Sequence, residues 1–228
     1  MDDFIARRAR AQVFNLKPYV PGKPIDEVKR ELGLTDVIKM ASNENPLGPA
    51  PLAKQAIIEH LDDIHIYPDS YCFELKAMLA ARLNIGPECI AIGNGSDEIL
   101  KMLAEAFINP GDEVILAYPT FAEYELVSTV MGANCIKVPL RNNTHDLPAM
   151  LEQVSPGTKL VFICNPNNPT GTIVSRQALG EFVRELPRDV LLVVDEAYSE
   201  YVDHPDYESA QAMLGQRPQT IVLRTFSK

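Results

Sequence analysis

The chain has 228 residues, of which 46% are apolar, and its 21 basic and 31 acidic residues give a formal net charge of −10. This length and apolar content suffice for one large domain, or for one domain and part of another. The acidic balance argues against nucleic acid or an anionic membrane as the main partner. No apolar run approaches the roughly 18 residues of a membrane span, and residues 1–8 lack the apolar core of a secretory signal.

The four cysteines are widely spaced and form no C-x-x-C pair. Three of them, Cys89, Cys135 and Cys164, lie in or beside short apolar runs that resemble strands. This usage is typical of buried free thiols in a cytoplasmic protein, and it argues against a metal site or a disulfide framework.

Residues 1–45 are predicted to form an arm. Ala6–Phe14 has the pattern of a short helix, whereas the prolines within residues 17–24 exclude one there. Ile25–Leu32 is predicted to be a helix ended by Gly33, and Val37–Met40 a short strand. An arm of this kind more often lies on another surface than folds alone.

From residue 50 onward the pattern alternates between helices and strands. Helices are predicted over Pro51–Leu61, Phe73–Leu83, Ser96–Phe107, Phe121–Met131, Leu147–Val154 (capped by Asp146) and Ser175–Leu186. Strands are predicted over Cys89–Ile92, Val114–Ala117, Cys135–Val138, Lys159–Cys164, Val190–Val194 and Thr220–Leu223. Repeated βα units with apolar strands indicate an α/β fold with three αβα layers around a mostly parallel sheet.

Polar side chains follow three of these strands: Asn168, Asp195 and, in the final residues 225–228, Lys228. Ligands of open α/β sheets lie beyond the carboxyl ends of the strands. If the three strands are adjacent and parallel, an amide, a carboxylate and an amine converge there. This set suits pyridoxal phosphate, because the amine can form a Schiff base, the carboxylate can pair with the pyridinium nitrogen and the amide can donate to the phenolate oxygen.

Each motif also has a simpler interpretation when it is taken alone. The glycine-rich turn at residues 93–97 could hold a phosphate, or it could be a plain βα turn in which Ser96 or Asp97 caps the helix. It matches neither a P-loop nor a dinucleotide fingerprint, because Glu98 stands where the third glycine would be. Residues 165–171 could form only a tight loop, and Phe121 could be a core aromatic or stack on a flat ring. Asp195 could be a helix cap or a magnesium ligand.

Together and in this order, the motifs resemble the fold-type I, aspartate-aminotransferase-like family of pyridoxal-phosphate enzymes. They are Gly-x-Gly-Ser-Asp at 93–97, Tyr-Pro-x-Phe at 118–121, Asn-Pro-x-Asn-Pro-Thr-Gly at 165–171, Asp-Glu-Ala-Tyr at 195–198 and Ser-Lys at 227–228. Within this family the chain looks most like the histidinol-phosphate aminotransferases, through the stretches at residues 17–24, 41–48 and 67–75.

The resemblance implies the residues that handle the cofactor ring. Lys228 would link covalently to pyridoxal phosphate and later move a proton between the substrate and the cofactor. Asp195 would pair with the ring nitrogen, Asn168 and Tyr198 would bond the phenolate oxygen, and Phe121 would stack on the ring.

Further residues are implied for the cofactor phosphate and for the substrate. Those around the phosphate would be Gly95, Ser96, Asp97, Thr225 and Ser227. Tyr67 would reach the phosphate of a neighbouring subunit, so a homodimer with shared active sites is expected. Tyr19 would close over the imidazole end of the substrate.

The implied reaction transfers an amino group between L-histidinol phosphate and 2-oxoglutarate, giving imidazole-acetol phosphate and L-glutamate in histidine biosynthesis. Two alternatives stay open: another substrate on the same fold, as in aromatic amino-acid aminotransferases or threonine-phosphate decarboxylases, and a non-catalytic binding protein. By resemblance, residues 1–45 would form an arm and a segment of the small domain, and 46–228 the incomplete cofactor-binding large domain. Family members continue beyond the lysine, so we expect the small C-terminal domain and its substrate-binding arginine to follow Lys228.

Overall fold

A computed structural model describes residues 4–16 and 22–228. Within them the chain divides into two compact units, one of residues 4–16 and 94–227 and the other of residues 22–93 with Lys228. The division predicted between residues 45 and 46 stays a prediction. Among the residues that the structure describes, no helix combines the length and the apolar character needed to cross a membrane.

The helices and strands alternate along most of the chain. The α-helices are Phe4–Arg8 (α1), Ile25–Leu32 (α2), Pro51–Glu59 (α3), Phe73–Leu83 (α4), Gly95–Phe107 (α5), Glu123–Val130 (α6), Leu147–Glu152 (α7) and Arg176–Glu185 (α8). The strands are Glu113–Tyr118 (β1), Asn134–Pro139 (β2), Thr158–Cys164 (β3), Leu191–Asp195 (β4) and Thr220–Leu223 (β5). Short 3₁₀ turns lie at Ala11–Asn15, Leu61–Asp63, Pro87–Cys89, Ser199–Tyr201 and Ala210–Met213.

The five strands belong to the first unit and form one parallel sheet in the order β2-β1-β3-β4-β5. Their register places Cys164 beside Asp195, and Asp195 beside Leu223. The last residues of β3, β4 and β5 therefore lie side by side. This arrangement confirms the predicted parallel sheet.

Apolar side chains cover both faces of the sheet. One face packs on α7 and α8 through a cluster that includes Ile115, Val161, Ile163, Leu192 and Val194. The other packs on α5 and α6 through a cluster that includes Val114, Leu116, Leu160, Phe162 and Val193. Successive residues of a strand point to opposite faces, so a sheet covered twice needs continuous apolar strands. The predicted three αβα layers are confirmed.

Several helix ends follow from local chemistry. The Asp146 carboxylate accepts a hydrogen bond from the Ala149 amide at the start of α7, at 3.3 Å, as predicted. Gly33 ends α2 in the left-handed region at φ 64°, where glycine has no steric penalty.

The predictions of two strands in the second unit were wrong. Val37–Met40 has no regular structure, and Cys89–Ile92 begins as the end of a 3₁₀ turn. Ile90 has an extended backbone, with φ −114° and ψ 124°, but the described residues supply no neighbouring strand to pair with it. Ala6–Phe14 likewise divides into α1 and a 3₁₀ turn rather than forming one helix.

A buried histidine takes part in joining the loops that follow β1, β2 and β3. His145 is 6% exposed, and its Nε2 lies 3.1 Å from Oδ1 of Asn167. The same oxygen accepts a hydrogen bond from the Thr120 hydroxyl at 2.8 Å, and the Asn167 amide donates to the Thr170 hydroxyl at 2.8 Å. Burial lowers the pKa of His145 from 6.5 to about 4, so the ring is neutral and Nε2 carries the proton.

We expect His145 to make the fold sensitive to acid. Between pH 6.5 and about 4 the unfolded chain binds a proton at this side chain and the folded chain does not. Stability is therefore lost as the pH falls through this window, by up to about 3 kcal/mol. Urea unfolding at a series of pH values should show His145→Gln with a flatter dependence than the wild type. The exposed His65 supplies a control, His65→Gln, which should keep the wild-type curve; equal slopes for all three proteins would contradict the prediction.

Candidate active site

The carboxyl ends of β3, β4 and β5 are joined by main-chain hydrogen bonds. The Asn165 amide donates to the Asp195 carbonyl at 2.9 Å, and the Glu196 amide donates to the Leu223 carbonyl at 2.9 Å. The segments that carry Asn168, Tyr198 and Thr225 therefore leave the sheet next to one another. This edge is where ligands bind in open α/β sheets.

Asp195 is the buried charge of this edge. It is 3% exposed, its Oδ2 accepts a hydrogen bond from the Tyr124 hydroxyl at 2.8 Å, and its Oδ1 accepts one from the Ala197 amide at 3.0 Å. A buried carboxylate is stable only when such donors compensate its lost hydration. The Ala197 bond forms a local turn, so Asp195 does not act as the cap of a helix.

The loop after β3 holds Asn168 in a closed turn. The Asn165 side chain accepts a hydrogen bond from the Val174 amide at 2.9 Å and donates to the Val174 carbonyl at 3.4 Å. The Asn168 amide donates to Sγ of Cys164 at 3.4 Å. Burial, with the neighbouring Asp195 charge, raises the pKa of Cys164 to about 11, so the thiol stays neutral. Asn168 itself is half-buried. Residues 165–171 therefore form the tight loop that one interpretation predicted, and this loop is compatible with a role for Asn168 in the site.

Phe121 lies at the carboxyl end of β1, just before α6. It is half-exposed and packs partly against the apolar cluster on that face. Its ring meets the Tyr124 ring edge to face, with centroids 5.5 Å apart at 83°. The geometry is compatible with both interpretations of this aromatic, because one edge is held by the core and part of the ring is accessible.

The glycine-rich turn begins α5 at Gly95, one residue earlier than predicted. Neither Ser96 nor Asp97 caps the helix; instead the Glu98 carboxylate accepts the Asn94 amide at 2.6 Å. Gly95 has φ +76°, a left-handed conformation that favours glycine, and apart from its chain neighbours and the backbone of α5 no atom lies within 4 Å of where a Cβ would be. Burial raises the pKa of Glu123 in the first turn of α6, and the Asp97 carboxylate in the first turn of α5 raises it further.

An ionic contact holds the segment that follows β5. Arg224 contacts Glu196 at 3.2 Å and Glu200 at 2.5 Å. Glu196 is fully buried and also accepts hydrogen bonds from the Ser209 hydroxyl and the Ala210 amide, both at 2.7 Å. Burial raises the pKa of Glu196, against the effect of these donors and of Arg224.

The hydroxyls of Thr225 and Ser227 lie 2.8 Å apart, beyond the end of β5. Lys228 follows directly in the chain; it is exposed and is grouped with the second unit. Tyr67, also of the second unit, is 98% exposed. Tyr19 lies outside the described residues.

The first unit thus brings several predicted site residues to the same edge of its sheet, namely Phe121, Asn168, Asp195, Tyr198, Thr225 and Ser227. Sequence reasoning missed Tyr124, which contacts Asp195 and Phe121, and Arg224, which holds the segment after β5 through Glu196 and Glu200. Tyr124 stands three residues after Phe121, and in the helix predicted over Phe121–Met131 this spacing would put both on one face. Arg224 directly precedes the Thr-x-Ser-Lys motif, yet its partners Glu196 and Glu200 are set by the fold.

Comparisons with known proteins agree with this geometry. The family model "Aminotransferase class I and II" matches residues 35–228. The histidinol-phosphate aminotransferase of Moorella thermoacetica is 57% identical over 97% of this chain and 58% of its own length. That of Caldicellulosiruptor saccharolyticus is 52% identical over 96% of this chain and 61% of its own length.

A solved structure shares the fold. The crystal structure of histidinol-phosphate aminotransferase from Sinorhizobium meliloti, in complex with pyridoxal-5'-phosphate, superposes with a TM-score of 0.86 at 28% identity. The superposition covers 97% of this chain and 59% of that one, and the chain spans about three fifths of the length of the curated relatives it matches. The family model, the relatives and the fold agree, and the chain belongs to the class I and II aminotransferases.

Proposed function

We propose that this chain is part of a pyridoxal-phosphate-dependent enzyme that transfers an amino group between L-histidinol phosphate and 2-oxoglutarate. The products would be imidazole-acetol phosphate and L-glutamate, and the reaction would serve histidine biosynthesis. The observation that carries the proposal is the 57% identity to a histidinol-phosphate aminotransferase over 97% of the chain.

The residues present fit pyridoxal phosphate. A buried carboxylate, already oriented by two donors, suits a protonated ring nitrogen. The open space beside Gly95, at the start of a 13-residue helix, suits a phosphate that approaches free main-chain amides. When bound, the cofactor supplies an aldehyde that links to amines and a ring that withdraws electrons from the substrate.

Each side chain near the ring has a separate task in this proposal. Asp195 binds the ring nitrogen and keeps it protonated. Asn168 and Tyr198 donate hydrogen bonds to the phenolate oxygen, and Phe121 orients the ring by stacking on one face. The Lys228 amine would hold the cofactor covalently, and it would also move a proton to and from the substrate α-carbon.

The phosphate would be held at the start of α5. Main-chain amides of Gly95, Ser96 and Asp97 would donate to it, aided by the positive end of the helix dipole. The hydroxyls of Thr225 and Ser227 would complete its hydrogen bonds. The Asp97 carboxylate would face away from the phosphate, since like charges repel.

A homodimer is part of the proposal, with Tyr67 reaching the phosphate in the other subunit and Tyr19 covering the imidazole of the substrate. Large apolar side chains exposed in the second unit support an interface, among them Ile57 at 64%, Phe73 at 75% and Met78 at 72%. Sedimentation analysis of the full-length protein tests this part, and the mass of a single subunit would contradict it. A cytoplasmic location, supported by the four free cysteines, belongs to the same proposal.

The contact between Arg224 and Glu196 would position the lysine. Glu196 directly follows Asp195, and Arg224 begins the segment that leads to Lys228. Their ion pair joins these two segments at their starts. It would therefore limit how far the segment that leads to Lys228 can move from the end of β4, which carries Asp195.

The first test locates the cofactor. Full-length protein incubated with pyridoxal phosphate should develop the visible absorption band of a lysine-linked cofactor. After reduction with borohydride, peptide mass spectrometry should place a phosphopyridoxyl group on Lys228. L-Histidinol phosphate without a keto acid should remove the band from the unreduced protein. Lys228→Ala should lose the label and at least about a hundredfold in turnover, whereas Lys101→Ala, an exposed lysine, should keep both.

Three results would contradict this test's expectation. A label on another lysine would refute the role of Lys228. An absorption band that does not respond to L-histidinol phosphate but responds to phenylalanine or O-phosphothreonine would mean that the enzyme acts on a different substrate. Failure to bind pyridoxal phosphate at all would favour a non-catalytic protein.

The positioning contact makes a separate prediction. Glu196→Gln removes a buried negative charge, and the Arg224 guanidinium loses its buried ionic partner. The free energy of unfolding should therefore fall by about 1–3 kcal/mol. Amide exchange in the peptide containing residues 224–228 should become faster. Glu200→Gln removes a 60% exposed partner of the same arginine and should cost under about 1 kcal/mol. Equal effects of the two variants on stability and amide exchange would refute the special role of the contact between Arg224 and Glu196.

A further inference from the structure

Tyr124 is a buried side chain to which the proposed mechanism gives no task. It lies in the first turn of α6 with 0% exposure. Its ring stacks on Phe162 with centroids 4.9 Å apart and planes at 5°, and it meets Phe121 edge to face. The ring is thus fixed by two aromatic contacts, and its hydroxyl can move little.

The hydroxyl of Tyr124 is a donor to Asp195. The O–H lies 2.8 Å from Oδ2 of Asp195. Burial, together with neighbouring Cys164 and Asp195, raises the pKa of Tyr124 well above its usual value, so the phenol keeps its proton. Because Oδ1 accepts the Ala197 amide at 3.0 Å, each carboxylate oxygen has its own donor, and the plane of the group is fixed.

We infer, on the basis of the proposed function, that Tyr124 is a positioning residue. It orients the Asp195 carboxylate toward the ring nitrogen of the cofactor, and it keeps that carboxylate charged. Hydrogen bonds to a carboxylate favour its charged form. A charged Asp195 leaves the shared proton on the ring nitrogen, where it makes the ring a stronger electron acceptor. Without the hydroxyl, Asp195 gains affinity for that proton and can rotate.

The position of Tyr124 also relates two parts of the ring site. Phe121, proposed to stack on the ring, directly precedes α6, and its ring touches that of Tyr124 in the first turn of this helix. The same short segment would therefore fix two parts of the site: the plane of the cofactor ring, through Phe121, and the orientation of Asp195, the partner of the ring nitrogen, through Tyr124. A residue that only filled the core would need its ring and not its hydroxyl.

The test compares Tyr124→Phe with the wild type in the full-length protein. Phenylalanine keeps both aromatic contacts and removes only the donor. With pyridoxal phosphate labelled with ¹⁵N in the ring, the nitrogen chemical shift reports whether that atom is protonated. The wild type should give the protonated signal, and Tyr124→Phe should move it toward the unprotonated one. Affinity for pyridoxal phosphate should fall about tenfold, as expected when a hydrogen bond to a charged group is lost.

Two matched variants separate a donor role from a loss of packing. Tyr207→Phe also removes one tyrosine hydroxyl, which donates to the Asn165 carbonyl at 3.3 Å, and should keep the wild-type nitrogen signal. Replacement of Tyr124 by 4-aminophenylalanine keeps the ring and an N–H donor, and should restore the signal. This second variant also serves if Tyr124→Phe does not fold.

The outcomes distinguish the inference from the proposed function. A wild type that binds no pyridoxal phosphate refutes both. A wild type that binds it, with Tyr124→Phe showing the same nitrogen signal and affinity, refutes only the role of Tyr124. A loss of thermal stability in Tyr124→Phe without a change in the nitrogen signal means that the hydroxyl serves the fold alone, and it refutes the inference as well.

Discussion

A charged side chain at the end of a buried strand is the constraint on which this structure depends. Asp195 is almost completely removed from water, and it can remain there because a tyrosine hydroxyl and a main-chain amide donate to it. These donors come from α6 and from the turn after β4, so the carboxylate stays compensated only if helix and strand keep their places. The packing of the Tyr124 ring on Phe162 thus also holds in place the hydroxyl that stabilises the Asp195 charge.

Hydrogen bonding between loops extends this constraint along the edge of the sheet. The loops after β1, β2 and β3 meet at Asn167, and the segments after β4 and β5 meet at Glu196 and Arg224. Loops usually vary and move more than the elements they connect. Here polar groups buried beneath them must keep their partners, so the loops behave as part of the framework. A site that orients a small, flat molecule needs this rigidity.

The sequence alone predicts the parallel sheet and many of the residues at its edge, because both depend on local patterns. Continuous apolar runs such as residues 159–164 identify buried strands, and polar residues directly after them identify the edge. The failures were non-local: residues 89–92 have the composition of a strand, but no strand lies beside them in the part of the chain that the structure describes. The donor to Asp195 was missed for the same reason, since 71 residues of chain separate it from Tyr124.

The side chain of Asn165 has a consequence for how the chain can change over time. It bonds both the amide and the carbonyl of Val174, as a neighbouring strand would, and so closes the intervening loop into a ring of fixed length. An added or deleted residue inside this ring would break one of its buried hydrogen bonds. Length variation should therefore be rare between Asn165 and Val174.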